Sequence, residues 1–190
     1  LGGLGGLSGL FGGKRKKKAV SVADARRILA DEELDKLVDL DRAADEARKR
    51  IWTCDTKGLA VSDRPGLEGF KKEFARDRAE LASWKVADPG KITLEETIEN
   101  ARPSILIGVS ATPGTFTEEI VRKMAAMNER PLVFPLSNPT SKSECTAEQA
   151  VAWSDGRAIV ATGSPFAPVM HGGVKHRIGQ CNNAFIFPGI

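Results

Sequence analysis

The chain has 190 residues, 41% hydrophobic and 28% charged, with a formal net charge of +3; this is the balance of an ordinary globular domain large enough for a real core. The basic run Lys14-Arg15-Lys16-Lys17-Lys18 accounts for the positive excess, so the remainder is near neutral and carries no nucleic-acid footprint spread over a fold. No apolar run reaches the length of a membrane span, and the three distant cysteines Cys54, Cys145 and Cys181 form neither a disulfide framework nor a CxxC pair, so a reducing compartment is expected.

Residues 1–13, LGGLGGLSGLFGG, are Gly/Leu low complexity and run directly into the basic stretch. Glycine-rich chain carries a large ordering entropy, so 1–18 is expected to be a disordered tail, and a first residue that is Leu points to a partial or processed chain. Residues 22–49 lack Gly and Pro and space Leu29, Leu34, Leu37 and Leu40 near a helical period, which predicts helix with a break near Asp31 or Asp41. From 51 the pattern becomes short apolar runs alternating with helices. Strands are expected at 51–54, 104–109, 131–136 and 158–161, with a fifth candidate at 184–187; helices are expected at 94–101, 117–127 and 146–154. Strands this apolar are usually buried on both faces of a parallel sheet. The expectation is therefore an α/β, Rossmann-like parallel sheet with helices on both faces, occupying 19–190.

Ligands of such sheets bind beyond the carboxyl ends of the strands. There the sequence places Asp55-Thr56-Lys57-Gly58, Ser110-Ala111-Thr112-Pro113-Gly114, Ser137-Asn138-Pro139-Thr140 and Thr162-Gly163-Ser164-Pro165. Any one of these could simply be a turn; four in register imply a cleft, with Asp55, Ser110, Asn138 and Gly163 at one edge. Asp55, after the expected first strand of this series, has the context of the acid that accepts from an adenosine ribose. Lys71 and Lys72 follow it, where a 2′-phosphate would need a cation. No G-x-G-x-x-G stands between a strand and a helix, so the first βα unit is atypical or incomplete. His171 and His176 have no acidic partner at ligand spacing, and Gly163-Ser164-Pro165 does not make a nucleophile elbow.

These segments also carry a family resemblance. Ile107-Gly108-Val109-Ser110 with Gly114-Thr115-Phe116-Thr117, Asn128-Glu129-Arg130-Pro131 with Leu136-Ser137-Asn138-Pro139-Thr140 and Glu144-Cys145-Thr146-Ala147-Glu148, Thr162-Gly163-Ser164-Pro165-Phe166, and Gly179-Gln180-Cys181-Asn182-Asn183 resemble, in order and spacing, the nucleotide-binding part of malic enzymes. The resemblance covers about 51–190. It implies oxidative decarboxylation of L-malate to pyruvate and CO₂ with NADP or NAD and a Mg or Mn ion. It implies Asn138 and Asn182 as substrate-binding, with Asn138 also against the cofactor, and Asp55, Thr56, Lys71, Val109, Ser110, Leu136 and Ser137 as cofactor-binding. The Phe70-Lys71-Lys72-Glu73-Phe74 context resembles the NADP-using members. The family's catalytic Tyr, general-base Lys and metal-binding acids have no match here, and the chain contains no Tyr. The expectation is a malic-enzyme portion that is inactive alone, from a cytoplasmic, plastid or mitochondrial family whose intact members form homo-oligomers. The alternatives are a nucleotide-binding pseudo-enzyme or docking module, and a remnant without a ligand.

Overall fold

The computed structural model describes Asp39 and residues 42–181; the expectations for 1–18, for most of the helix over 22–49 with its break near Asp31 or Asp41, for the strand at 184–187 and for Asn182 lie outside them. Two compact units divide the chain at Arg50. In the first, 42–48 is helical, in keeping with the Gly- and Pro-free sequence there, and Arg48 pairs with Asp45 at 2.7 Å.

The second unit, from Ile51, holds the sheet. Strands β3 (Ile105–Gly108), β4 (Leu132–Pro135), β5 (Ile159–Thr162) and β8 (Gly179–Gln180) lie in the order β3-β4-β5-β8, every pairing parallel. Parallel neighbours need crossovers, and helices α1 (Leu94–Ala101), α2 (Glu118–Met127) and α3 (Ala147–Trp153) alternate with these strands as the sequence pattern predicts. Each helix begins where a threonine side chain accepts a backbone N–H: Thr93 from Glu96, Thr117 from Ile120 and Thr146 from Gln149. At Thr93 and Thr146 the third helical residue returns the bond, completing a capping box. The core gathers Leu106, Val133 and Val160 from the strands against Ile98, Ile120, Val121, Met124, Ala150 and Val151 from the helices.

That core lies on one face. Side chains alternate along a strand, and Ile105, Ile107 and Ile159, on the opposite face, stay 41–47% exposed. The Rossmann-like α/β arrangement holds, whereas burial of the strands on both faces does not among the described residues. An apolar run marks a strand, but it cannot say which of its faces another element covers.

The expected strand 51–54 is a second correction. β1 (Cys54–Asp55) pairs antiparallel with β2 (Gly58–Leu59) in a two-stranded ladder apart from the parallel sheet. The Lys57 N–H bonds Asp55 Oδ1 at 2.9 Å, an Asx turn that folds the chain back on itself. Gly58, at φ 94°, lies so close to Ile92 O that a Cβ would stand 2.4 Å away. Leu59, Val61, Leu81 and Ile92 then form a smaller core with Trp52, Cys54, Trp84 and Val86 beside it. Here the Arg76 guanidinium stacks 3.8 Å from the Trp52 ring. A hairpin β6 (Val169–His171) and β7 (Val174–His176) precedes β8. No helix among the described residues is long and apolar enough to cross a membrane.

Candidate functional site

The carboxyl ends of β3, β4 and β5 point the same way because the strands are parallel, and the loops that follow them are bonded to one another. Gly108, the last residue of β3, accepts from the Leu136 N–H at 2.8 Å. Beyond it, the Ala111 N–H bonds Ser137 Oγ at 2.8 Å. Glu144, fully buried, accepts from Ser110 N–H at 3.0 Å and from Ser137 Oγ at 2.5 Å. The third loop is attached through Asn138, whose Oδ1 accepts from Ser164 Oγ. The Asn138–Pro139 peptide is cis. Gly163 is demanded by this closeness: a Cβ there would sit 2.0 Å from Leu136 O and 2.9 Å from Asn138 Nδ2.

Ser110, Asn138 and Gly163 thus share one edge, as the sequence predicts. Val109, Ser110 and Asn138 are exposed there, and Val109, two-thirds exposed, is the apolar surface of that edge. Leu136 and Ser137 are buried, at 1% and 5% exposure. Their side chains face inward, and Ser137 Oγ is already engaged as donor and acceptor. Asp55, the fourth residue expected at that edge, sits instead on the separate β1–β2 ladder, and no described hydrogen bond joins it to the other three.

Asp55 is the centre of a second cluster. Its carboxylate takes Arg64 Nη2 at 2.7 Å and Nη1 at 3.1 Å, and Lys71 Nζ at 2.8 Å. Lys71 comes from a single helical turn, Gly69–Lys72, and Glu68 lies 3.8 Å from its ammonium on the outer side. Partial burial alone would raise the Asp55 carboxyl, but the hydrogen bonds from Lys71, Arg64 and Lys57 N–H outweigh it and hold the group down to about 2. The same contact with Asp55 moves Lys71 upward. Thr56 is exposed at the turn beside them. Arg64 is nine-tenths buried, also donates to Gly58 O and Leu59 O, and leaves its Nε without a hydrogen-bond partner. Sequence reasoning missed both Arg64 and Glu144. Ser62-Asp63-Arg64-Pro65 reads as a plain turn, and nothing in the order of residues announces that the acid of Glu144-Cys145-Thr146 is buried.

Other chemistry is less well provided. Among the described residues no group of three or more His, Cys, Asp or Glu is arranged to hold a metal ion. His171 and His176 stand edge to face with ring centroids 6.3 Å apart, on the β6–β7 hairpin. Cys54, Cys145 and Cys181 are free, and burial pushes the first two thiols up to about 11 and about 12, far from a reactive thiolate. A recess of about 610 Å³ bordered by Arg130, Arg157, Lys175 and His176 lies at the opposite, amino end of β4 and β5. The candidate edge, with Val109, Ser110 and Asn138 exposed along it, forms a ledge at the carboxyl end of the sheet.

Comparison with known proteins agrees with this geometry. Residues 25–190 match the family model described as malic enzyme, NAD binding domain. The chain is 50% identical over 146 residues to an NAD-dependent malic enzyme of Sodalis glossinidius (strain morsitans), covering 77% of this chain and 26% of that protein. It is 49% identical over 147 residues to the NADP-dependent malic enzyme, chloroplastic, of Zea mays, covering 77% and 22%. An NAD-dependent malic enzyme of Pseudomonas aeruginosa (strain LESB58) is 46% identical over 166 residues, covering 87% and 28%. The chain therefore spans about a quarter of the length of the curated relatives it matches.

Proposed function

We infer function from one premise: this chain belongs to the malic enzyme family and is of its NAD binding domain type. A nicotinamide cofactor follows from that membership. We propose that the cofactor is NADP in preference to NAD, and that the chain serves the oxidative decarboxylation of L-malate to pyruvate and CO₂. Relatives of both cofactor types are equally similar, so the preference rests on the Asp55 cluster alone. Two cations, Arg64 and Lys71, close on one carboxylate. A lone Asp55 would repel a 2′-phosphate; with Arg64 held against it, its charge is already balanced, and Lys71, on the outer side, is the cation a phosphate would draw on. Glu68 weakens this without cancelling it, being farther away and 63% exposed.

In this reading Asp55 and Thr56 meet the adenosine ribose. Val109 and Ser110 lie along the dinucleotide, with Leu136 and Ser137 contributing backbone because their side chains face inward. Asn138 and Asn182 hold the substrate, since an amide offers donors and an acceptor to a carboxylate and a carboxamide together. The cofactor, when bound, supplies the acceptor for hydride. The described residues do not fit a Mg or Mn ion, and we assign no step to one. Free cysteines throughout the described residues support a reducing compartment, the cytoplasm or an organelle. The homo-oligomers of the family are carried over to this chain as part of the same proposal.

The test is calorimetric titration with NADP and NAD, for the natural sequence and for Lys71→Gln. One charge-assisted contact is worth roughly 1.5–3 kcal/mol, or about ten- to a hundred-fold in affinity. The substitution should weaken NADP by at least about ten-fold and leave NAD nearly unchanged. Equal losses for the two cofactors, or none, would make Lys71 an ordinary partner of Asp55 and remove the preference.

A further inference from the structure

We propose that Glu144 is a positioning residue: its buried carboxylate locks the loop after β3 to the loop after β4 and so presets the ledge that receives the cofactor. This rests on the reading of that ledge as the cofactor edge. Burying a carboxylate is costly unless its oxygens are satisfied, and Glu144 is fully buried with no described cation beside it. What it has instead is a ring of donors. Oε1 takes the Ser110 N–H at 3.0 Å, the Ser110 hydroxyl at 3.3 Å and the Ser137 hydroxyl at 2.5 Å. Oε2 faces the Ser137 N–H at 3.4 Å. Each of these donors belongs to one of the two loops.

The reach goes one residue further. Ser137 Oγ donates a hydrogen bond to Glu144 and accepts one from the Ala111 N–H. Ala111 is held at φ 52°, a left-handed conformation that is unfavourable for a non-glycine residue and persists where the surroundings fix it. The path Glu144–Ser137–Ala111 therefore sets the direction in which Thr112, Pro113 and Gly114 leave the strand. Room for the carboxylate is built into β3: a Cβ on Gly108 would stand 2.5–2.8 Å from the side-chain atoms of Glu144. The main chain of Glu144 is anchored too, its carbonyl accepting from the Phe116 N–H at 3.2 Å.

Glutamine keeps the shape but not the chemistry. Whichever way its amide turns, an N–H₂ replaces an acceptor against a donor, either Ser137 N–H or the Ser110 and Ser137 group. Aspartate is one methylene short of spanning both loops. The experiment compares the natural chain with Glu144→Gln, Glu144→Asp and Ser137→Ala, the last being mild enough to remain folded if Glu144 tolerates no change. Two things are measured: NADP and NAD affinity by calorimetry, and amide hydrogen exchange residue by residue. Glu144→Gln should weaken both cofactors alike by about ten-fold, unlike Lys71→Gln. Exchange should rise at Ser110, Ala111 and Ser137 and stay protected at Val121 and Met124 in the core. Ser137→Ala should loosen Ala111 in the same way, and Glu144→Gln with Ser137→Ala should cost no more than the larger single change, as members of one unit do. Unchanged affinity in folded variants, or exchange rising equally at Val121 and Met124, overturns the proposal. If the natural chain binds neither cofactor, the reading of the ledge fails by itself, and local exchange at Ser110 and Ala111 still decides whether Glu144 is the brace.

Discussion

Asp55 sits on the two-stranded β1–β2 ladder, where its carboxylate is held by Lys71 and Arg64. Its position after an apolar run gives the expectation of an acid for a ribose, whereas the cations that hold it are Lys71 and Arg64, the latter nine positions away in a turn with no helical or strand pattern. The cluster has a consequence for stability. The carboxyl is held at about 2 in the folded chain against about 3.9 in an unfolded one. A lowered folded value means the ionised form is favoured by folding, so the contribution is complete above about pH 4 and is lost as pH falls from about 4 toward 2. It amounts to at most about 2 kcal/mol, since the pair is partly open to water. Melting temperatures across that window should fall more steeply for the natural chain than for Asp55→Asn, which has no proton to gain. Parallel curves would show that Asp55 is not held by Arg64 and Lys71.

The helices were the most legible elements because their start signals are local. Thr93 needs only Glu96 three residues on, and both bonds of the box form: Glu96 N–H to Thr93 Oγ1 at 3.2 Å and Thr93 N–H to Glu96 Oε2 at 2.8 Å. Glu96 also takes the Ala87 N–H at 2.6 Å, so the cap of α1 ties down the loop before it. Thr93→Ala should cost about 1 kcal/mol, seen as a lower urea midpoint with an unchanged slope; a midpoint within error of the natural chain would mean that solvent replaces the cap. Between helices, Lys123 of α2 is bonded to Glu95 and Glu99 of α1 as well as Glu119. No periodicity foretells that junction, because it joins residues separated by a loop and a strand. Strand β1 was misplaced for a related reason: two residues, Cys54 and Asp55, pair locally with Gly58 and Leu59, and a run that short fits a hairpin as well as a sheet.

At the level of the whole molecule, the parallel sheet buries one face more deeply than the other among the described residues, with Ile105, Ile107 and Ile159 41–47% exposed, and substitutions should report the difference. Val133, fully buried in β4, should cost roughly 2–3 kcal/mol as Val133→Ala, from lost transfer energy and the cavity left behind. Ile107→Ala in the adjacent strand removes a larger side chain that is 43% exposed, and should cost less than Val133→Ala despite its size. Chemical denaturation of the two variants settles the order, and the reverse order would mean that the Ile107 face is covered in solution. The sequence by itself determined three strands of the sheet, β3, β4 and β5, though not β8, and the polar loops at their carboxyl ends, because periodicity, capping and turn chemistry act over a few residues. It also carried the family, through a series of motifs in fixed order. What only the tertiary structure decided was which residues far apart in the chain neutralise and hold one another, Arg64 and Lys71 on Asp55 and Ser110 and Ser137 on Glu144, and which strand side chains the described helices bury. Burial and charge pairing depend on distances in space, and strand order and crossovers, rather than neighbours along the chain, fix those distances.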